Sequence, residues 1–258
     1  MFRAHEHVIA WRAEKARLEP RPDARNGGTR YSLVSIPGTA PLSVDFVRHC
    51  IEAARQRGAT EIITPAVTEA EAAGMRRAGF QERSALHLLV HDLDQIPSAR
   101  QVSTAPSDHV CRRANRSRRA EVLAVDAAAF GPEWCLDAAG LDEAIEATPS
   151  VRFRLVEARQ GVRGYAVTGR AGRRGYLQRL AVHPDAQRLG LGQSLVVDAL
   201  RWCRRWHAAR VVVNTQVGNT VAYDLYRRMG FVDAPLGLCV LHLPLNMPST
   251  NAVATWPS

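Results

Sequence analysis

The chain has 258 residues, 46% of them hydrophobic, which is enough for one large domain or two small ones with a sizeable core. Its formal net charge is +9, yet Lys15 is its only lysine, and the arginines are dispersed with few aromatic residues among them. This pattern argues against a nucleic-acid interface and favours attraction for phosphate-bearing or acidic small molecules.

Short sequence patterns predict the protein's cellular compartment and whether it binds a metal. No stretch is long enough to span a membrane, and the segment 1–7 lacks the apolar core of a signal peptide. The five cysteines (50, 111, 135, 203, 239) form no C-x-x-C pair. We therefore expect free thiols, a cytoplasmic location, no metal site and no membrane partner.

In chain order, residues 1–30 are rich in arginine and proline and are expected to be partly mobile. Residues 31–93 predict a small α/β half, with an amphipathic helix at 43–57, a strand at 59–65 and a last strand at 84–92. Residues 94–107 are polar and contain proline, which is typical of a linker.

Residues 108–245 predict a second and longer α/β domain, followed by an aperiodic tail at 246–258. Its elements alternate from a strand near 109–113 through helices at 118–129 and 137–147 and a hairpin at 152–158 and 162–168. The remaining elements are a strand at 177–182, a helix at about 194–206, a strand at 209–216, a helix stopped by Gly230 and a strand at 237–243.

A glycine-spaced loop, residues 187–192, joins the strand at 177–182 to the helix after it. Glycines allow close backbone approach to a ligand, and the first N–H groups of a helix point outward with the positive end of the dipole behind them. Arg188 adds a positive charge. The loop therefore predicts a pyrophosphate site, although its G-x-G spacing fits neither the Rossmann fingerprint nor a Walker loop.

Two motifs around this loop carry a family resemblance. The order V-x-P-x-x-Q-R-x-G-x-G at 182–192 resembles motif A of the GNAT N-acetyltransferase superfamily, and N-x-x-A-x-x-L-Y-x-x-x-G-F at 219–231 is similar to its motif B. The resemblance implies the GNAT-like fold, a mixed α/β sheet with helices on both faces. It also implies acetyl-CoA as co-substrate, with no metal.

The family's functional positions map onto this chain residue by residue. By resemblance, Leu180, Ala181 and Val182 bind the pantetheine arm and the thioester, and Asn219 contacts the cofactor near its thiol. The pyrophosphate is expected on the loop and helix start, formed by Gln187, Arg188, Leu189, Gly190, Leu191, Gly192 and Gln193. Tyr226 matches the general acid that protonates the leaving thiolate.

The general base is where the sequence departs from the family. The subfamily that acetylates ribosomal-protein N-termini has a glutamate five residues before the motif-B asparagine, and Asn214 stands there. Tyr176 and Gln178 occupy another frequent position. Glu133 is the leading substitute and Asp126 a weaker one, while a water relay or a partly neutral amine removes the need for either.

Residues 31–93 repeat part of the second domain without its functional positions. The strand at 59–65 and the segment Met75–Phe80 mirror 209–216 and Tyr226–Phe231, but 37–41 replaces the glycine loop and Met75 replaces the tyrosine. We interpret this half as a degenerate GNAT-like copy in a tandem arrangement. An unrelated small α/β module remains the alternative.

The sequence leaves three functions open. The first is an acetyl-CoA-dependent N-acetyltransferase acting on a small amine or a protein α-amino group, with one active site per chain. The second is a mycothiol-synthase-like acetyltransferase, although the shortened first half disfavours it. The third is an acyl-CoA-binding sensor or partner-binding module that has lost turnover.

Overall fold

A computed structural model describes residues 7–22, 29–36, 40–97, 110–159 and 161–245. The chain divides into two compact units, one of Met1–His87 with Pro235–Ser258 and one of Leu88–Ala234. No helix in the described ranges is both long and apolar enough to cross a membrane.

The first unit is built on a mixed sheet. Its strands lie in the order β1-β2-β3-β4-β12-β5, all neighbours being antiparallel except the parallel pair β3–β4. The bounds are β1 (Val8–Trp11), β2 (Glu14–Pro22), β3 (Thr29–Ser35), β4 (Ala59–Ile63), β5 (Gln81–His91, of which residues 81–87 belong to this unit) and β12 (Leu238–Pro244).

Two helices cover this sheet, α1 (Val44–Gln56) and α2 (Glu69–Arg77). Side chains at helical spacing on α1, among them Phe46, Val47 and Cys50, pack with strand residues such as Leu18 and Ile62 in one apolar core. Each large aliphatic or aromatic side chain buried there contributes about 1.5–3 kcal/mol to folding.

The second unit is a sheet in the strand order β10-β9-β8-β7-β6, with residues 88–91 of β5 pairing with the short β11. All neighbours in that order are antiparallel except β9–β10, which is parallel. The bounds are β6 (Val110–Arg113), β7 (Ser150–Ala158), β8 (Gly161–Ala171), β9 (Arg174–Val182), β10 (Arg210–Gln216) and β11 (Val232–Asp233).

Four helices of the second unit pack around two apolar clusters. α3 (Arg119–Trp134) and α4 (Ala138–Glu146) bury Val122, Val125 and Leu141 in one cluster, whereas α5 (Leu191–Arg205) and α6 (Thr220–Arg228) pack in the other. α3 is kinked at Gly131, which has φ 67° and ψ 180° and precedes Pro132. The helix predicted at 118–129 therefore ends where expected, because the backbone leaves the helical path at Gly131 and a separate last turn runs on to Trp134.

The two units repeat one order of elements. β3-α1-β4-α2 in the first unit matches β9-α5-β10-α6 in the second, and the two strands of each series are parallel. α2 and α6 have nine residues each and are followed by glycines with positive φ, Gly79 at 104° and Gly230 at 89°. A left-handed residue directly after a helix favours glycine.

The chain's division differs from the predicted boundaries at 93/94 and 107/108. The strand at 238–244 hydrogen-bonds to β4 and to β5, so it completes the sheet of the first unit. Residues 8–22, expected in a partly mobile N-terminal segment, form β1 and β2 because β2 pairs with β3 along seven positions. The predicted linker lies mostly outside the described residues, as does the tail.

Candidate active site

Strands β9 and β10 pair only along their first residues. The parallel register runs from Arg210↔Arg174 to Val212↔Tyr176, and both strands continue beyond it without pairing to each other. β9 also carries one extra residue, Gln178, where its register with β8 shifts between Val167 and Thr168. The splayed strands and the bulge leave backbone groups of β9 free to meet a ligand.

The loop after β9 presents unoccupied donors. Arg188 and Gly190 both have positive φ, 62° and 77°, and Gly190 precedes the first residue of α5 without a side-chain cap. Among the described residues, no group accepts a hydrogen bond from the N–H groups of Leu191, Gly192 or Gln193. Such a loop followed by an uncapped helix start has the geometry that favours an anion.

Gly192 has a second reason to be glycine. A Cβ added there would lie 3.1 Å from Cδ2 of Leu225 on α6, so the start of α5 packs closely on that helix. Gln187 connects the loop to the end of β9 by donating from Nε2 to the Val182 carbonyl at 3.4 Å. The two glycines therefore serve different purposes, backbone conformation at Gly190 and close packing at Gly192.

A pocket of about 650 Å³ in the second unit joins these features. All of the predicted cofactor-binding residues except Leu189 line it, and Leu189 is 37% exposed outside it. The lining also contains residues that the sequence analysis did not name as site residues: Ala129, Phe130, Ala186, Val221, Ala222, Leu225 and Arg228. Ala222 and Leu225 are motif-B positions, so the motif itself held the signal for them.

The pocket is positively charged. Arg188 and Arg228 are the only ionisable side chains among the described residues that line it, with no carboxylate between them. They come from the loop and from the last turn of α6. Two cations beside uncapped helical N–H groups favour a ligand that carries several phosphate charges.

Tyr226 lies on α6 but does not line this pocket. It is 5% exposed and packs in the apolar cluster, with its ring centroid 5.6 Å from that of Phe231. Burial raises the pKa of its phenol, and the nearby charge of Arg179 acts in the opposite direction. Ala222, one helical turn earlier on the same face, does line the pocket.

Asn219 has a structural function besides the predicted one. Its side-chain oxygen accepts the N–H of Ala222 at 3.1 Å and so caps α6, while its residue lines the pocket. The cap uses one acceptor and leaves the side-chain NH₂ group for other partners.

Comparison with known proteins agrees with this geometry. A sequence model of the Acetyltransferase (GNAT) family matches residues 123–231, a range that includes β9, the loop and every residue named as lining the pocket. These residues form a GNAT domain. The predicted family and the predicted mixed α/β fold are thereby confirmed.

Individual relatives are distant. A mycothiol acetyltransferase from Arthrobacter sp. (strain FB24) is 40% identical over 52 residues, 20% of this chain and only 16% of that protein. The fold is similar to a GCN5-related N-acetyltransferase from Sphaerobacter thermophilus (TM-score 0.61, 15% identity, 89% of this chain and 76% of that one). It is also similar to a tandem GNAT protein from the clavulanic acid biosynthesis pathway (TM-score 0.63, 14% identity, 91% and 80%).

The candidate bases of the GNAT domain differ in availability. Glu133 lies in the last turn of α3, but its side chain is outside the described part of the structure. Asp126 is fully buried, and Arg179, Tyr165 and the N–H of Leu136 all donate to its carboxylate. A carboxylate so occupied is unsuited to accept a proton from an amine. Asn214 is exposed on β10.

A second cavity of about 480 Å³ in the GNAT domain contains none of the predicted site residues. It lies beside the start of β7 and the Trp202 face of α5, and several arginines line it. Two of these, Arg119 and Arg152, are paired with Asp142 and Asp198. Within the described ranges, no group of three or more His, Cys, Asp or Glu side chains is placed to hold a metal ion.

Proposed function

We propose that the protein is an acetyl-CoA-dependent N-acetyltransferase that moves the acetyl group to a primary amine of a small molecule or a protein N-terminus. The uncapped start of α5, opening into the pocket beside splayed β9, is the observation that supports it most. The N–H groups of Leu191, Gly192 and Gln193 would bind the pyrophosphate, with Arg188 and Arg228 as counter-charges.

The reaction in this site is a direct attack. The amine nitrogen forms a bond to the thioester carbonyl carbon, the carbon–sulfur bond then breaks, and the thiolate takes up a proton. The amine's extra proton leaves to water or to a base. Backbone groups of Leu180, Ala181 and Val182 would orient the thioester, which removes much of the entropic cost of bringing the two reactants together.

Tyr226 would donate the proton to the thiolate. A phenol is protonated at neutral pH, as a general acid must be, and burial raises its pKa further, while the positive charge of Arg179 would stabilise the phenolate once the proton has left. For this transfer the phenol must reach the pocket from its buried position behind Ala222 and Leu225.

The first unit would carry no second site. At the start of α1, the helix that corresponds to α5, Ser43 Oγ accepts the N–H of Phe46, and Glu14 in turn binds both the N–H and the hydroxyl of Ser43, at 2.7 and 2.5 Å. The start of α1 is thus already capped and has a carboxylate beside it, whereas the start of α5 would bind an anion. This supports a tandem arrangement with a degenerate first copy and one active site per chain.

Purified protein supplied with acetyl-CoA and a panel of primary amines tests the proposal by release of free thiol. Thiol release that depends on one class of amine, with the acetylated amine identified by mass spectrometry, is the expected result. Tight acetyl-CoA binding without release for any amine would favour the sensor function instead. The short match to a mycothiol acetyltransferase favours including that relative's acceptor in the panel as a second candidate.

A further inference from the structure

A buried polar cluster lies beside the pocket, and the proposed chemistry uses no more of it than the nearby charge of Arg179. Asp126 of α3 is fully buried and receives two hydrogen bonds from Arg179 of β9, Nε to Oδ2 and Nη2 to Oδ1, both 2.8 Å. The hydroxyl of Tyr165 on β8 donates to Oδ2 at 2.5 Å. A helix and two strands therefore meet at one carboxylate.

The same cluster holds the segment after the kink in α3. Arg179 Nη2 donates to the Trp134 carbonyl at 2.7 Å, and the N–H of Leu136 donates to Asp126 Oδ1 at 2.6 Å. The Arg179 guanidinium also lies 3.5 Å from the ring centroid of Phe130. Both partners of the ion pair thus bind backbone at the end of α3 or just after it, on the far side of the left-handed residue Gly131.

α3 forms the part of the pocket wall that the cofactor residues do not supply, with the two residues directly before the kink. β9, the loop, α5 and α6 contribute every predicted cofactor-binding position, while α3 contributes Ala129 and Phe130. Arg179 precedes Leu180, which lines the pocket. The wall on α3 is therefore tied to the strand that would orient the thioester through the contact of Phe130 with Arg179. We take the space between them as the approach for the amine.

A buried ion pair is not by itself a source of stability, because the cost of desolvating two charges offsets much of their attraction. Its better-attested effect is to select one arrangement of the elements that it joins. Here the arrangement is specified by the planar fork of an arginine, since one guanidinium binds both carboxylate oxygens and the Trp134 carbonyl.

We propose that Arg179, held by Asp126, is a positioning residue that fixes Phe130 and the segment after it, 131–136, against β9 and so sets how the acceptor amine meets the thioester. This inference rests on the proposed function. It acts through Phe130 and the α3–α4 segment, and neither Arg179 nor Asp126 touches the reacting atoms.

The test uses Arg179→Lys in the full chain. Lysine keeps the charge but lacks the planar fork whose separate nitrogens bind the two carboxylate oxygens side by side. We expect the acceptor KM to rise about tenfold or more, because small misplacements of a reactant are costly. The Kd for acetyl-CoA should stay unchanged, and hydrogen exchange at the Leu136 amide should accelerate. Asp126→Asn, with nearly the same shape, should change the same quantities in the same direction.

Arg152→Lys is the matched control. Arg152 makes a similar two-point pair with Asp198, at 2.6 and 2.8 Å, between β7 and α5 and away from the pocket. It should lower stability without changing the acceptor KM or exchange at Leu136. The inference is overturned if Arg179→Lys behaves like Arg152→Lys, or if it weakens acetyl-CoA binding as much as acceptor use.

Failure of the proposed function would look different. If no amine releases thiol with the unaltered protein, the proposal of N-acetyl transfer is wrong. Hydrogen exchange at Leu136 still tests whether Arg179 and Asp126 hold the segment after the kink. Unchanged exchange in both Arg179→Lys and Asp126→Asn overturns the positioning by Arg179 whatever the reaction is.

Discussion

Glu14 binds Ser43 at two points, accepting its backbone N–H at 2.7 Å and its hydroxyl at 2.5 Å, and Ser43 caps α1. The start of α1 in the first unit thus has a side-chain cap, whereas the corresponding start of α5 at Gly190 in the second unit has none. We predict one bound acetyl-CoA per chain by calorimetric titration. Glu14→Ala should lower the free energy of unfolding by about 1 kcal/mol, since it removes hydrogen bonds to a charged group. A stoichiometry of two, in either protein, would contradict the assignment of one site.

Gly190→Ala should weaken acetyl-CoA binding strongly, because alanine at φ 77° is strained and the loop would change shape. Gly58→Ala is the control, with nearly the same φ, 74°, and open space around its Cα in the first unit. Titration and chemical denaturation of both variants separate the two effects. We expect both variants to lose a similar amount of stability and only Gly190→Ala to lose acetyl-CoA binding. Intact binding in Gly190→Ala would refute the loop assignment.

Tyr226→Phe should lower kcat by about 10²- to 10⁴-fold while leaving the Kd for acetyl-CoA unchanged, because only proton donation is removed. Tyr223→Phe serves as the comparison, since Tyr223 donates to Asp233 at 2.9 Å on the exposed face of α6. Steady-state thiol release measures both. Equal rates for Tyr226→Phe and the unaltered protein would exclude Tyr226 as the acid.

Arg228→Gln should weaken acetyl-CoA binding, and the loss should shrink as salt is added, because screening already reduces the attraction between Arg228 and phosphate. The neighbouring Arg227→Gln is a matched control. Arg227 pairs with Asp233 at 3.2 Å and does not line the pocket. A salt-independent loss, or one that Arg227→Gln reproduces, would argue against a contact with phosphate.

His91 predicts a pH dependence of stability. It is 2% exposed, its Nδ1 accepts the N–H of Leu93 at 2.9 Å, and burial lowers the pKa of its imidazole. Below its ordinary pKa of 6.5 the unfolded chain binds a proton that the folded chain does not, so stability is present above that pH and declines as the pH falls below it.

Denaturation at pH 7.5 and at pH 5 checks this expectation. His91→Gln, which keeps an acceptor for Leu93, should make the free energy of unfolding less dependent on pH between those values. His207→Asn, at an exposed histidine, is the control and should leave the pH dependence unchanged. Asparagine tolerates the left-handed conformation that His207 has at φ 57°. If the free energy of unfolding of His91→Gln depends on pH as it does in the unaltered protein, groups other than His91 cause that dependence.

Local patterns were sufficient for most elements and for the position of the glycine-spaced loop. The succession of β9, the loop and α5, and the helix that ends before Gly230, could be predicted from glycine positions and helical periodicity, which are signals within a few residues. The bulge at Gln178 and the end of β9–β10 pairing at Tyr176 had no such signal, since no local pattern marks where two strands stop pairing.

The sequence by itself determined the family, the position of the loop and which residues of the second unit are candidates for cofactor binding. Only the tertiary structure decided that β12 pairs in the first unit, that Glu14 accepts hydrogen bonds from Ser43, 29 residues away, and that Asp126 pairs with Arg179, 53 residues away. The reason is physical. Such pairs depend on how distant segments pack, and no residue's own neighbours in the chain encode its partner.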